Sequence, residues 1–414
     1  MIPPTAKERV GVLESESSLD AIAAQDAQLD ELAPLPPRLT KPALEYAAAV
    51  CGLRDRPRWS WGFPHLDRAA PVPTGSLVYV IGATGRGKSS LALQIARMHA
   101  ESCGPALVFS AELAAEYACA RLVSQVTQAS WYEVTRGGID AAAVQHALDV
   151  PRLRLTDAVT ASWARDIENE IGHEVREHPG ELVLVVVDYL QVLRSDGRDT
   201  RERVANASTA LREIAARTGA VILALSKASR VAARGLRSGE LVGSDATEVG
   251  AETNSIEHDA VAQVQLGVVR PADDDAPSGT RIVDLSVAKA RFGTEDVVIP
   301  FQVDGAHGWF REHGEPVSLA DRKAAARAAS VERRDVQAQQ RVRSALAAIG
   351  VGSRNKIVAA AGGTRASALA ALDELIAAGE VVEVQGRRNG GRWPLALADQ
   401  VVTLELRPIE KGKA

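Results

Sequence analysis

Eight consecutive residues constrain this chain more than any others. Gly82-Ala83-Thr84-Gly85-Arg86-Gly87-Lys88-Ser89 fits G-x-x-x-x-G-K-[ST] in full. It follows an apolar strand pattern, Leu77–Ile81, and opens a helical pattern, Ser89–Ala100. Glycines let a backbone curl until its N–H groups converge on phosphate oxygens, and a helix N-terminus adds a favourable dipole. The expected nucleotide-binding positions are Gly82, Ala83, Thr84, Gly85, Arg86, Gly87, Lys88, Ser89 and Ser90. Lys88 is the expected catalytic charge on the β- and γ-phosphates of ATP, and Ser89 Oγ an expected Mg2+ ligand. The bland alternative is a glycine-rich strand–helix turn that binds nothing.

Two carboxylates follow strand patterns. Leu182–Val187 is a continuous apolar run ending at Asp188. A carboxylate there lies at the strand's C-terminal end, where α/β sheets bind ligands, and suits a second Mg2+ ligand. Asp188 could equally cap the next element. The run Val108-Phe109-Ser110 leads to Glu112. A glutamate there can polarise an attacking water as general base. It can also be an acidic residue favoured by the macrodipole of a helix starting at Leu113.

From about Trp59 to Glu312, strand-length runs alternate with helices. The runs are Leu77–Ile81, Ala106–Phe109, Leu182–Val187 and Val221–Leu225; the helices are Ser89–Ala100, Leu113–Gln125 and Arg203–Arg217. That alternation predicts parallel βαβ units and a sheet covered on both faces. Val261–Val268, Arg281–Ala288 and Val297–Val303 then predict an antiparallel edge. The predicted fold class is α/β with a mostly parallel sheet.

The flanks differ. Residues 1–57 are rich in Ala, Pro and acid; APLPPRLTKP breaks regular structure, and a flexible arm or a short interface helix over Pro42–Val50 both fit. After an ATPase-type domain at 58–315, an Ala-rich charged stretch, 316–335, predicts a helical linker. Helix patterns Gln337–Ile349, Arg354–Ala360 and Arg365–Ala378, with a hairpin through Val381–Gln385 and Arg392–Leu395, predict a winged helix at 336–397 and a tail at 398–414. Cys51, Cys103 and Cys119 show no CxxC spacing and read as buried small hydrophobes in a reducing compartment. No apolar run approaches the roughly 20 residues of a membrane span, and no signal core opens the chain. The expectation is a cytoplasmic protein with no membrane partner. A net charge of −5 excludes a polycation that coats nucleic acid, so any DNA contact must be local.

Taken together these segments resemble the ATPase domain of DnaB-like replicative helicases, over about residues 59–312. Trp61-Gly62-Phe63-Pro64-His65-Leu66-Asp67 and Thr74-Gly75-Ser76-Leu77 resemble that family's approach to the phosphate loop. Phe109-Ser110-Ala111-Glu112-Leu113, with Arg121 beyond, resembles its second motif, in which the glutamate is the catalytic base. Asp188-Tyr189-Leu190-Gln191-Val192-Leu193 resembles its Walker B extension, and Ser255-Ile256-Glu257-His258-Asp259-Ala260 its fourth motif. Ala288-Lys289-Ala290-Arg291-Phe292-Gly293 resembles the segment carrying a lysine and an arginine finger. The resemblance implies a RecA-like P-loop ATPase core and a homo-oligomeric ring, a hexamer, with single-stranded DNA in a central pore. It also implies that Lys289 and Arg291 act on a neighbour's γ-phosphate. Three departures stand out. Lys227 replaces a glutamine; Ala251-Glu252-Thr253-Asn254 replaces Arg-Glu-Ser-Gly; and the family's N-terminal helical domain has no counterpart, which makes primase docking by that route unexpected.

Candidate DNA contacts are the loops Arg194–Arg203 and Ser229–Asn254, with Arg230, Arg234, Arg237, Glu252 and Asn254, and the wing residues Arg387, Arg388 and Arg392 beside Trp393. All could instead be solvated surface residues, and the small module could dock protein. Its helix Thr364–Gly379 is poor in base-reading side chains, which favours phosphate positioning. The expected function is an ATP-dependent DNA helicase in replication of a plasmid or phage. The alternatives are a non-unwinding regulatory, recombination or loader ATPase that binds DNA through the winged helix, and an initiation or transcription factor with an ATPase switch.

Overall fold

The computed structural model describes residues 43–52, 57–110, 114–157, 163–228, 233–235, 258–272, 276–384 and 394–399. The chain forms two units, Met1–Arg56 and Pro57–Ala414. In the first, a helical turn, Ala43–Tyr46, runs into a short helix, Ala47–Cys51, with Leu44 and Val50 exposed.

The second unit is built on a ten-stranded sheet. After the small ribbon β1 (Arg58–Trp59) and β2 (Val72–Pro73), its strands are β3 (Leu77–Gly82), β4 (Ala106–Ser110), β5 (Leu153–Asp157), β6 (Leu184–Asp188) and β7 (Val221–Lys227). They continue as β8 (Ala262–Pro271), β9 (Thr280–Ala290), β10 (Val297–Asp304), β11 (Trp309–Glu312) and β12 (Val317–Ser318). The order is β11-β10-β9-β8-β3-β7-β6-β4-β5, with β12 also on β10. All pairings from β8 to β5 are parallel, and β9 to β12 add the antiparallel edge.

Alternation of side chains explains why the central strands are apolar throughout. Val78 and Val80 of β3 face one core with Val108, Val186 and Leu223; Leu77, Tyr79 and Ile81 face the other with Phe109, Val185 and Ile222. The first face is covered by helix Lys88–Ser102 through Leu91 and Ile95, the second by helix Thr200–Thr218 through Val204, Leu211 and Ile214. The latter helix starts where Asp199 accepts a hydrogen bond from Glu202 N at 2.8 Å and stops at Gly219, whose φ of +77° suits a residue without Cβ. Tyr79, inside the second core, donates to Ser208 Oγ at 3.0 Å, and Ser208 donates to Asp259 at 2.7 Å. Burial pushes the Tyr79 phenol well up.

The sequence patterns omit β5, β11 and the helix Ala164–Glu177. They place starts at Leu182, Leu113 and Arg203, whereas the elements begin at Leu184, Ala115 and Thr200. The 316–335 linker and the first helix of the small module are one 31-residue helix, Leu319–Ile349. No proline or glycine interrupts it, and Ser318 caps it by accepting from Asp321 N. Its first turn is tied down: Asp284 on β9 is buried between Arg270 at 3.1 Å and Arg322 at 2.6 Å. Helices Arg354–Ala361 and Arg365–Ala377 and a ribbon, β13 (Val381–Glu383) and β14 (Leu395–Leu397), complete the module around Val342, Leu346, Ile357 and Leu372. The thiols correct an expectation: Cys51 and Cys103 are exposed and Cys119 is half-buried. Cys103 sits just past the end of helix Lys88–Ser102, where the chain turns outward. Among the described residues, no helix is long and apolar enough to cross a membrane.

Candidate nucleotide site

The C-terminal edge of the parallel strands carries the site. β3 ends at Gly82, and the loop after it turns through Gly85 and Gly87, at φ of +76° and +88°. Space demands glycine at 87 too, since a Cβ would stand 2.7 Å from Phe310 Cζ. The Lys88 side chain, 8% exposed, turns back along the loop, and its ammonium donates to Gly82 O at 2.8 Å and Ala83 O at 3.1 Å. β6 delivers Asp188 beside Ser110 of β4, and β7 delivers Lys227 beside Gly82. The Lys227 ammonium lies 3.8 Å from the centre of the Tyr189 ring.

These residues line one cleft of about 430 Å³, with Thr84 to Ser90, Asp188, Lys227 and Arg121 on its walls. That volume falls in the range of small-ligand sites. Ser89 and Asp188 together suit a hard divalent cation, and Lys88 and Arg121 suit an anion. The residues present therefore fit a magnesium–nucleotide complex.

The opposite wall has no counterpart among the sequence motifs. It is the β10–β11 turn, Asp304 to Gly308, with Phe310. Gln94 straps it to the phosphate-loop helix: its amide donates to Phe310 O and its carbonyl accepts from Phe310 N, both at 2.8 Å. Gln125 Nε2 donates to Ser90 O at 2.8 Å and Gly308 O at 3.0 Å. Within the turn, Asp304 pairs with His307 Nδ1 at 2.5 Å. Burial acts to raise the Asp304 carboxyl, but hydrogen bonds from His307 and the Ala306 amide prevail and hold it low. No sequence signal marks this wall, because amide-to-backbone straps have no spacing rule. Gln94→Ala should leave two buried backbone groups without partners and cost about 2–4 kcal/mol. A lowered urea midpoint checks this, together with weaker nucleotide binding.

Lys289 and Arg291 do not line this cleft. They stand at the other end of the sheet: Ala290 of β9 pairs with Ala262, and Ala262 with Val78, at the start of β3. From Val78 to Gly82 the strand rises roughly 13 Å. Arg291 is exposed, and its Nη2 donates to His258 O at 2.7 Å. Asp259 serves the fold, paired with Arg212 at 3.0 Å. Trp61 and Asp67 do likewise: Trp61 Nε1 donates to Ala70 O at 2.8 Å, and the Asp67 carboxylate accepts from Trp61 N at 2.6 Å.

Glu112 lies outside the described residues; the strand leading to it ends at Ser110, next to Asp188. Arg230, Arg237, Glu252, Asn254, Arg387, Arg388 and Arg392 also lie outside them, and Arg234 is exposed.

Residues 60–306, more than half of the chain, match the profile of the DnaB-like helicase C-terminal domain. The chain belongs to the DnaB-like helicase family. Two solved structures share its fold. A helicase-type ATPase domain aligns at 18% identity and a TM-score of 0.53, covering 73% of this chain and all of that one. A DnaB-like replicative helicase, described with its interactions with primase, aligns at 18% identity and a TM-score of 0.53, covering 73% of each chain. Curated protein sequences give no match. The α/β, RecA-like character expected from the sequence holds, as does the family.

Proposed function

We propose that this DnaB-like chain is an ATP-driven DNA helicase that works as a homo-oligomeric ring, a hexamer, in the replication of a plasmid or phage. The observation that carries this is a separation. The phosphate loop, Ser89 and Asp188 share one cleft, whereas Lys289 and Arg291 stand at the opposite edge of the same sheet. A cation pair that cannot reach its own cleft serves the cleft of a second copy. Lys88 neutralises the β- and γ-oxygens, and Glu112 orients the water. Arg291, with Lys289, enters from the neighbour to match the charge that spreads over the γ-oxygens in the transition state. Magnesium, held by Ser89 and Asp188, supplies charge neutralisation between the phosphates. Single-stranded DNA would run through the pore past the loops carrying Arg194–Arg203 and Arg230, Arg234 and Arg237. The 336–397 module, read as a winged helix, adds phosphate contacts through Arg387, Arg388 and Arg392.

A non-unwinding RecA-like ATPase is the second reading. Lys227 in the cleft favours it, because a lysine cannot accept the hydrogen bond that a glutamine accepts. Strand displacement on forked DNA separates the two. Release of the displaced strand that requires ATP supports the helicase; DNA-stimulated phosphate release with no displaced strand supports the second reading. In either case Asp188→Asn should raise the magnesium concentration needed for half-maximal hydrolysis by about tenfold.

A further inference from the structure

The long helix Leu319–Ile349 carries a charge pattern that the nucleotide site does not use. Arg327, Arg334 and Arg341 recur at intervals of seven residues. At about 100° per residue, seven residues return to within about 20° of the starting direction, so the three share one face. Lys323 begins the same row one turn earlier. The acids of this helix, Asp321, Glu332 and Asp335, project about 100° or more away. All three arginines are exposed, and among the described residues none takes a hydrogen-bond or ion-pair partner. The neighbouring arginines do otherwise: Arg322 holds Asp284, and Arg343 holds Glu380 at 2.8 Å.

The remaining surface of this helix is accounted for. Ala338, Val342 and Leu346 are buried in the small module's core, and Gln339 donates to Glu374 at 2.9 Å. The row ends in a groove of about 530 Å³ lined by Gln337, Gln340, Arg341 and Ser344, with no acidic residue on its walls. Guanidinium, amide and hydroxyl groups are the donors that meet phosphate oxygens.

We propose that this row is a docking surface for the backbone of duplex DNA. The observation is charge complementarity of a regular kind. A continuous helix sets three cations on a line roughly 21 Å long, at about 1.5 Å rise per residue. Duplex DNA presents about one charge per 1.7 Å of axis and is straight over that length. Both partners are already ordered, whereas a single strand must lose chain entropy to lie along the row. An overall charge of −5 repels DNA, so binding depends on such a local strip. In a ring motor, the row places duplex against the outer module rather than in the pore. The inference does not depend on hydrolysis, since it concerns binding without nucleotide.

The test uses the full chain without nucleotide and a fluorescein-labelled duplex of about 25 base pairs, read by anisotropy across salt. The triple variant Arg327→Ala, Arg334→Ala, Arg341→Ala should reduce the slope of log K against log salt by about 2–3, near 0.9 per contact. Arg334→Ala alone should reduce it by about 1, and the triple Lys variant should keep it, because phosphate accepts a point charge. Basal ATP hydrolysis and the thermal midpoint should stay unchanged. An unchanged slope in the triple Ala variant overturns the proposal. So does a loss seen with single-stranded DNA of the same sequence but not with duplex, or equal loss in the Ala and Lys variants. A protein that binds duplex this way yet hydrolyses no ATP would sink the motor reading and leave this one standing.

Discussion

Lys88→Ala lowers the rate of ATP hydrolysis by about 10²–10³-fold, and ATP binding weakens with it. The ammonium sits inside the loop, 8% exposed, oriented by two carbonyls at 2.8 and 3.1 Å, so its charge lies where β- and γ-oxygens converge. In a half-enclosed cleft that charge is screened far less than in bulk water. Arginine should not substitute. A guanidinium is planar and larger, and the entrance is narrow: a Cβ on Gly82 would already stand 3.2 Å from Leu266. The fold should survive, because both cores are built from the sheet and its covering helices, and Lys88 belongs to neither. Calorimetric titration with ATP and a phosphate-release assay check both halves. Hydrolysis at the wild-type rate would contradict the assignment.

Arg291→Ala should lower turnover by about 10³–10⁵-fold while leaving ATP affinity within a few-fold. The separation of the two effects is the informative part. Arg291 belongs to no wall of its own chain's cleft, so it adds nothing to binding there. It contributes only when a neighbouring copy brings it to the γ-phosphate, where its charge matches the transition state. Within its own chain it loses one exposed hydrogen bond to His258 O, a small effect on stability. Arg291→Lys should stay slow, since a point charge cannot span two γ-oxygens as a fork does. A variant that binds ATP poorly and unfolds early would indicate a role in the fold instead.

What the sequence reveals follows from where the physics is local. The phosphate loop is legible because glycine at positive φ, lysine and serine must fall within one short segment. Asp188 is legible because a buried parallel strand is apolar until it reaches the ligand edge. The β5 strand is not legible, since Leu153-Arg154-Leu155-Thr156-Asp157 is an edge strand with charges in it, where Arg154 pairs with Glu174 at 2.5 Å. The turn from Asp304 to Gly308 is hidden for another reason. It closes the cleft through Gln94, more than two hundred positions away in the chain, and nothing about a glutamine in a helix announces such a partner. The motif around Trp61 and Asp67 reads, through family likeness, as leading into the site. Its side chains stitch the chain to itself instead, and burial raises the Asp67 carboxyl ahead of the hydrogen bonds that lower it. The long helix erases a boundary drawn by composition, because an Ala-rich charged stretch and an amphipathic one join without a break.

The shared-site account is tested most directly by mixing two dead variants. Lys88→Ala lacks a working cleft but offers an intact Arg291; Arg291→Ala offers an intact cleft but no finger. Mixed in equal amounts and allowed to assemble, they form interfaces in which an intact cleft faces an intact finger. Hydrolysis should therefore recover to a sizeable fraction of the wild-type rate, in proportion to those interfaces. A mixture no more active than its separate parts, despite proven co-assembly, would show that the cleft and Arg291 do not act across two copies of this chain.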